Sequence, residues 1–320
     1  MSSSSESDYI PYSQRDEWKD VIPIEQIDGP NAPCQIAYTD EFKDVMNYFR
    51  AIVAKNEISE RALALTEDAI DQNPANYTAW YYRRIVLFGL LEQTGRDLSL
   101  EVDYMNEMTE KNEKNYQMWY HRQAILEKYR IVDGELDMIS KMIDQDSKNY
   151  HAWAHRQWVV KEFNLWSGEL DYIGELLSRD LRNNSAWNHR FFVLRHTRDV
   201  TSEEVRREEI EFAFSYIHKA PNNESPWNYV KGFANLRPEV SSIYELLERK
   251  CREVLQRTSI NAHAHYVLLD CLVRSNEVDV LNEALSVCDS LVQYDSIRAR
   301  YWQYKKGKIE QKKNRLLASS

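Results

Sequence analysis

A phrase of aromatic and charged residues recurs along the chain at nearly constant spacing, and this repetition constrains the fold more than any other feature. The pattern N-Y-x-x-W-x-x-R occurs three times, at residues 76–83, 115–122 and 149–156. Weaker copies follow at Trp187, Trp227, His265 and Trp302. Successive copies are 34 to 40 residues apart, a period that is typical of stacked helical repeats.

Each period contains two predicted helices. In the second copy the apolar spacing predicts a helix from about Asn115 to Arg130, a break at Asp133-Gly134, and a second helix in ELDMISKMIDQD. A single hairpin cannot bury its own apolar face, so neighbouring hairpins must stack. We therefore predict an all-α fold, a right-handed α-α superhelix or crescent solenoid. Its repeats are related to tetratricopeptide repeats but distinct from them, because the expected glycine is missing.

Changes in composition predict the limits of the repeat domain. Four of the eight prolines lie within the first 33 residues, where Ser and acidic residues are common. Sustained helical periodicity begins near Asp40. We predict a flexible to extended N-terminal arm at residues 1–39, a single helical-repeat domain at 40–312, and a C-terminal tail at 313–320.

Composition also excludes several classes of function. The net charge of -10 disfavours a nucleic-acid partner. None of the eight glycines forms a G-x-G-x-x-G or G-x-x-x-x-G-K-[ST] phosphate loop. The four cysteines show neither C-x-x-C nor zinc-finger spacing, and no stretch of eighteen apolar residues occurs. The chain is expected to be cytoplasmic, without membrane insertion and without a metal site of its own.

Most of the repeated phrase is explained by packing. Asn76, Asn115 and Asn149 are predicted helix N-caps, and the tryptophans are expected to fill the seams between hairpins. Arg122 and Arg156 are expected to pair with carboxylates of neighbouring helices. His121, His155 and His189 each follow a Trp by two residues, and we predict buried, hydrogen-bonded structural histidines rather than metal ligands.

The Lys and Tyr before each helix require a different explanation. A Lys at a helix N-terminus is unfavourable unless an anion is present, since the helix dipole already favours negative charge there. The helix starts at 114–116 and 148–150 would form one edge with two ammonium groups and two phenols, which suits a diphosphate. The alternative is that both lysines are solvated and both tyrosines pack under the preceding turn.

The segments NYTAWYYRR, KNYQMWYHR, KNYHAWAHRQW and RNNSAWNHRFFV, followed by PNNESPWNY, resemble the α subunit family shared by protein farnesyltransferase and protein geranylgeranyltransferase type I. The resemblance runs from about Asp20 to the last helix. It implies a heterodimer with a β subunit that holds the catalytic zinc, while magnesium assists farnesyl transfer. The substrates implied are farnesyl or geranylgeranyl diphosphate and C-terminal C-a-a-X sequences of proteins such as Ras-like small GTPases.

The resemblance also implies roles for individual residues. Lys114 matches the lysine that stabilises charge on the leaving diphosphate and is the expected catalytic residue. Further diphosphate-binding residues are Tyr150, Tyr116, Asn149 and His151. Peptide-binding residues are Gln117, which matches a ligand of the terminal carboxylate, together with Tyr77 and Ala75.

Two other functions remain open at the level of sequence. One is a repeat scaffold that binds proteins and performs no chemistry. The other is the α subunit of the type II enzyme that prenylates Rab proteins, although the doubled K-N-Y phrase favours type I. Which isoprenoid is transferred is not encoded in this chain.

Overall fold

The computed structural model describes residues 9–27, 29, 34 and 36–319, and all regular elements in these residues are helical. Several features that predict the N-terminal arm lie outside the described residues, namely the Ser-rich start, Pro30 and Pro33. Fifteen α-helices follow in chain order within this part of the chain. They are α1 Asp40–Lys55, α2 Glu60–Gln72, α3 Tyr77–Thr94, α4 Ser99–Lys111, α5 Tyr116–Tyr129, α6 Glu135–Gln145, α7 Tyr150–Glu162, α8 Glu169–Arg179, α9 Asn184–Thr197, α10 Glu203–Ile217, α11 Glu224–Asn235, α12 Ser241–Arg257, α13 Ala262–Leu272, α14 Val278–Tyr294 and α15 Ala299–Ser319. The predicted all-α repeat architecture is confirmed.

The chain divides into two compact units, residues 1–159 and 160–320. The first contains α1 to α6 and most of α7, including every predicted site residue. The second contains the weaker repeats. The domain limits predicted at residues 39 and 312 stay a prediction, but two observations bear on them, one at each end of the chain.

The predicted N-terminal arm contains a folded part that the sequence did not reveal. Two single-turn 3-10 helices span Tyr12–Gln14 and Asp16–Trp18, and both Tyr12 and Trp18 are buried. Their rings contact Tyr48 of α1, with Tyr12 stacked on it at 5.2 Å between ring centroids. At the other end, α15 continues to Ser319 through the segment that was predicted to be a tail.

The repeated Asn residues cap helices as predicted. Oδ1 of Asn115 accepts a hydrogen bond from the Met118 N–H at 2.9 Å, and Asn76 and Asn149 cap α3 and α7 in the same way. Before α6 the turn passes through Gly134 at a φ of 73°, a left-handed conformation that favours glycine. The helix limits observed for α5 and α6 therefore agree with the predicted helix–break–helix pattern.

The repeated tryptophans fill the core and also join successive repeats. Nε1 of Trp80 donates to the carbonyl of Pro74, six residues earlier, at 2.9 Å. The same carbonyl accepts a hydrogen bond from Nδ2 of Asn115, the cap of the next repeat, at 2.7 Å. In the second unit the Leu181 carbonyl likewise accepts from Trp187 and Asn223. Each shared carbonyl links one repeat to the next, so the Asn amide has a second role besides capping.

The repeated Arg and His converge on a buried glutamate. Glu135 accepts two hydrogen bonds from Arg122, at 2.8 and 2.6 Å, and a third contact of 2.6 Å joins it to Nε2 of His155. Glu101 holds Arg83 and His121 in the same arrangement. Burial alone would raise the pKa of Glu135, but Arg122 and His155 outweigh it and lower the pKa to about 2.

This arrangement confirms the structural interpretation of the histidines and of Arg122. Burial lowers the pKa of His121 and His155, which favours the neutral ring. In the second unit Tyr229 stands where the earlier repeats have His, and its hydroxyl donates to Glu209 at 2.6 Å. The glutamate that pairs with each of Arg83, Arg122 and Arg190 lies on the next helix along the chain. The repeat period by itself does not predict which glutamate this is.

Candidate functional site

The candidate site lies at the N-termini of α3, α5 and α7. The Asn caps place a tyrosine at the first residue of each of these helices, and these side chains are largely exposed, at 74% for Tyr77, 66% for Tyr116 and 68% for Tyr150. Exposed large aromatic side chains on a folded surface are typical of binding sites. The alternative in which the tyrosines pack under the preceding turn is therefore wrong.

Lys114 precedes α5, and its side chain is 67% exposed. Its ammonium lies 3.3 Å from Oδ2 of Asp146 and 3.5 Å from Oε1 of Glu113. The hydrogen bond to Asp146, followed by the charges of Asp146 and Glu113, raises the pKa of Lys114, which is protonated at neutral pH. The anions that accompany this Lys in the isolated chain are thus two carboxylates of the protein itself, which the sequence analysis did not identify.

The starts of α5 and α7 are joined by ring contacts. The Tyr116 ring meets the His151 ring edge-on, with 4.3 Å between centroids, and the Tyr150 ring also meets this imidazole edge-on, at 5.5 Å. Burial lowers the pKa of His151, so this half-buried ring is mostly neutral at pH 7. The three rings form one continuous surface, and the sequence correctly predicted that these two helix ends are neighbours.

Asn149 differs from the other predicted diphosphate ligands because it is buried. Its Oδ1 accepts from the backbone N–H groups of His151 and Ala152, and its Nδ2 donates to the Glu113 carbonyl at 3.4 Å. Both ends of its side chain are therefore engaged within the protein. Its contribution to this edge is to fix the start of α7, which carries Tyr150 and His151.

The predicted peptide-binding residues lie at or next to the starts of α3 and α5. Gln117 is half-buried in the first turn of α5, one residue after Tyr116. Ala75 is exposed before the Asn76 cap, and Tyr77 is exposed directly after that cap. Ala75 and Tyr77 belong to the preceding repeat. The predicted peptide-binding residues are therefore divided between the starts of two successive repeat helices, α3 and α5.

Two exposed tyrosines that the sequence analysis did not single out extend this surface. Tyr81 and Tyr120 lie one turn after Tyr77 and Tyr116 and are 59% and 60% exposed. The Arg84 guanidinium lies 5.0 Å from the centre of the Tyr120 ring. The signal was present in the sequence as Tyr-x-x-x-Tyr, a spacing that puts both rings on one helical face.

The chemistry available at this site is the binding of anions rather than their cleavage by a complete catalytic apparatus. An ammonium group and phenol hydroxyls are suitable donors to phosphate oxygens. Among the residues that the structure describes, no group of three or more His, Cys, Asp or Glu is arranged to hold a metal ion. No helix in the described part of the chain is both long and apolar enough to span a membrane.

Comparison with known proteins adds independent findings. A family described as "Protein prenyltransferase alpha subunit repeat" matches residues 59–90, 98–129, 132–163 and 166–197. Its repeat begins with the second helix of one sequence period and ends with the first helix of the next, as in α4 and α5. The matched repeats include every predicted site residue.

Full-length relatives and a solved structure agree with the family match. The chain is 43% identical over 315 residues to the protein farnesyltransferase/geranylgeranyltransferase type-1 subunit alpha of Dictyostelium discoideum, covering 95% of this chain and 96% of the relative. It is 40% identical to the protein of the same name from Arabidopsis thaliana, covering 94% and 97%. A chain of Candida albicans protein geranylgeranyltransferase-I, solved in complex with GGPP, is 31% identical with a TM-score of 0.79, covering 96% of this chain and 100% of that one.

Proposed function

Since the chain belongs to the protein prenyltransferase alpha subunit family, we propose that it acts as the α subunit of a heterodimer that transfers a farnesyl or geranylgeranyl group to proteins. The group passes from its diphosphate to the Cys thiol of a C-terminal C-a-a-X sequence, with Ras-like small GTPases among the substrates. The observation that carries the proposal is the exposed edge formed by Lys114, Tyr116 and Tyr150 around His151.

Lys114 acts on the leaving group in this proposal. Cleavage of the carbon–oxygen bond at an allylic diphosphate builds negative charge on the leaving oxygens. A donor that interacts more strongly as this charge grows lowers the barrier, rather than merely binding the substrate. The diphosphate replaces Asp146 and Glu113 as the partner of the ammonium, since both pairings are exposed and weak in water.

The other residues of the edge bind and orient the diphosphate. The hydroxyls of Tyr150 and Tyr116 donate to its oxygens, and the His151 ring contacts both tyrosine rings. Asn149 contributes by capping α7, which fixes the positions of Tyr150 and His151 at the helix start. This role differs from direct contact with the diphosphate, and the capping hydrogen bonds support it.

The peptide substrate is proposed to lie beside α5. Gln117 donates to the terminal carboxylate of the C-a-a-X sequence, while Tyr77 and Ala75 line the pocket for its last residue. Zinc held by the β subunit would lower the pKa of the substrate thiol, and magnesium would assist farnesyl transfer. We place the reaction in the cytoplasm.

The first experiment compares prenyl transfer by the wild type and by Lys114→Ala, each co-expressed with a β subunit. We expect turnover to fall on the order of a hundredfold, as on removal of one donor to a developing oxyanion, with the heterodimer intact. Lys141→Ala is the matched control, because Lys141 is also exposed and paired with a carboxylate, Glu110, at 2.7 Å. Equal turnover in Lys114→Ala and the wild type would contradict the catalytic role of Lys114. Absence of both prenyl transfer and prenyl-diphosphate binding in the wild-type complex would favour a non-catalytic scaffold.

A further inference from the structure

Arg83, Arg122 and Arg190 each donate from Nε and Nη2 to a buried glutamate, which leaves Nη1 of the guanidinium to find another acceptor. Nη1 of Arg83 donates to the Leu63 carbonyl and to Oγ1 of Thr66, both at 3.3 Å. Nη1 of Arg156 donates to Oγ of Ser140 at 3.0 Å. In both cases the side-chain acceptor is a hydroxyl on the preceding helix, so the third donor of the guanidinium is satisfied inside the protein.

Arg122 departs from this arrangement. Ser140 precedes Arg156 by sixteen residues, and the residue sixteen before Arg122 is Asn106. Within the described part of the chain, no protein atom accepts from Nη1 of Arg122 or donates to Oδ1 of Asn106, although both atoms are buried. Arg122 is only 2% exposed. A buried donor and a buried acceptor without partners are costly and rare in native proteins, so this pair requires an explanation.

Both residues line the same cavity. It has a volume of about 350 Å³ and lies between α4, the end of α5 and the start of α6. Its remaining wall is largely apolar and includes Leu98, Val102, Met105, Leu126, Ile131 and Met138. A cavity of this size with apolar walls and a few polar groups is typical of a small-molecule site.

The charges around the cavity restrict the ligand. The positive charge of Arg122 is already balanced by Glu135, whose oxygens lie 2.8 and 2.6 Å from Nε and Nη2. Glu135 and Asp133 also line the cavity, so a carboxylate or phosphate would meet negative charge. Among the described lining residues, the buried side-chain atoms without a protein partner are one donor and one acceptor, which match an uncharged head group that both accepts and donates.

We propose that this cavity binds an uncharged amphiphile with a carboxamide or hydroxyl head and a short apolar chain. The head accepts from Nη1 of Arg122 and donates to Oδ1 of Asn106, while the chain fills the space between α4 and α6. The cavity uses none of the residues of the diphosphate edge, so the proposal does not depend on the proposed function.

Octanamide is a suitable probe, measured by isothermal titration calorimetry on the full chain together with its co-expressed partner. We expect saturable binding with one site per chain. Octane, which lacks the head group, should bind at least about tenfold more weakly, because a hydrogen bond to a charged donor is worth more than a factor of ten in affinity. Octanoate should also bind at least about tenfold more weakly, because its negative charge would lie beside Glu135 and Asp133.

Two variants test the hydrogen-bonding groups and the volume of the cavity separately. Asn106→Ser reproduces the residue found beside Arg156 and should satisfy Nη1 of Arg122 internally, weakening octanamide binding about tenfold without loss of stability. Met138→Trp should fill the cavity and abolish binding. Asp103→Asn is the control, because Asp103 is exposed on the same helix and does not line the cavity. Absence of saturable octanamide binding to the wild type, or unchanged binding in both variants, would overturn the proposal.

Discussion

The ammonium of Lys114 lies 3.3 Å from Oδ2 of Asp146, so the start of α5 is tied to the turn that follows α6. The other carboxylate oxygen of Asp146 accepts from the Lys148 N–H at 3.1 Å. One carboxylate therefore shapes the turn before α7 with Oδ1 and holds the proposed catalytic ammonium with Oδ2. A diphosphate that engages Lys114 must compete with Asp146.

Asp146→Asn should separate these two functions. The Asn side chain keeps an oxygen for the Lys148 N–H but removes the charge that competes for Lys114. We expect the KM for the prenyl diphosphate to fall up to about fivefold, the range expected from an exposed ion pair. Steady-state kinetics of the heterodimer provide the measurement. The same decrease in a Lys114→Ala background would show that Asp146 acts independently of Lys114.

Tyr150→Phe tests the phenol at the start of α7. Its ring contact with His151 should survive, because only the hydroxyl is lost. We expect affinity for the prenyl diphosphate to fall about threefold to tenfold, as for the loss of one hydrogen bond. Equilibrium binding of a prenyl diphosphate to the heterodimer measures this. Tyr304→Phe, in α15 of the second unit, serves as the matched exposed tyrosine, and an equal loss in both variants would argue against a specific role for Tyr150.

Glu135→Gln should destabilise the first unit strongly. The substitution leaves the Arg122 guanidinium buried without its counter-charge, and breaking one partner of a buried pair costs about 3–5 kcal/mol in the free energy of unfolding. Urea denaturation of the full chain provides the measurement. Glu110→Gln, which removes an exposed partner of Lys141, should change stability by less than about 1 kcal/mol. A similar small change in Glu135→Gln would mean that the buried triad adds little to stability.

Stability should decrease as the pH falls below about 6.5. Burial lowers the pKa of His121 and His155 from 6.5, so the unfolded chain takes up these protons more readily than the folded chain. The stabilisation is complete above the unfolded value and is lost as the pH falls, by up to about 1.4 kcal/mol per pH unit for each histidine. Glu101 and Glu135, with pKa values of about 2, add to the loss below pH 4.5.

Urea denaturation between pH 8 and pH 5 measures this dependence. His155→Gln should be less stable at pH 8 but should show a shallower decrease between pH 6.5 and pH 5. An unchanged slope in this variant would assign the pH dependence to other groups.

The repeat period, the helix pairs and the N-caps were all predictable from sequence. They depend on local rules, namely apolar spacing along one helix and the preference of Asn for a helix start, as at Asn115. The neighbouring positions of Lys114 and Tyr150 followed from the same period, since equal spacing brings equivalent helix ends together. Membership of the family also rested on these local phrases.

Tertiary packing decided the partners of the polar groups. The period indicates that Arg122 is buried but not that Glu135 and His155 meet it, nor that Asp146 holds Lys114. The period also does not reveal that Asn106 stands where a hydroxyl, such as that of Ser140, pairs with the arginine of another repeat. As a result Nη1 of Arg122 and Oδ1 of Asn106 are buried without protein partners in the described part of the chain, beside a cavity. Sequence by itself determined where helices begin, end and repeat, because those are short-range preferences of the backbone. Only the tertiary structure decided which charges pair, because pairing depends on distances between side chains that are remote in sequence.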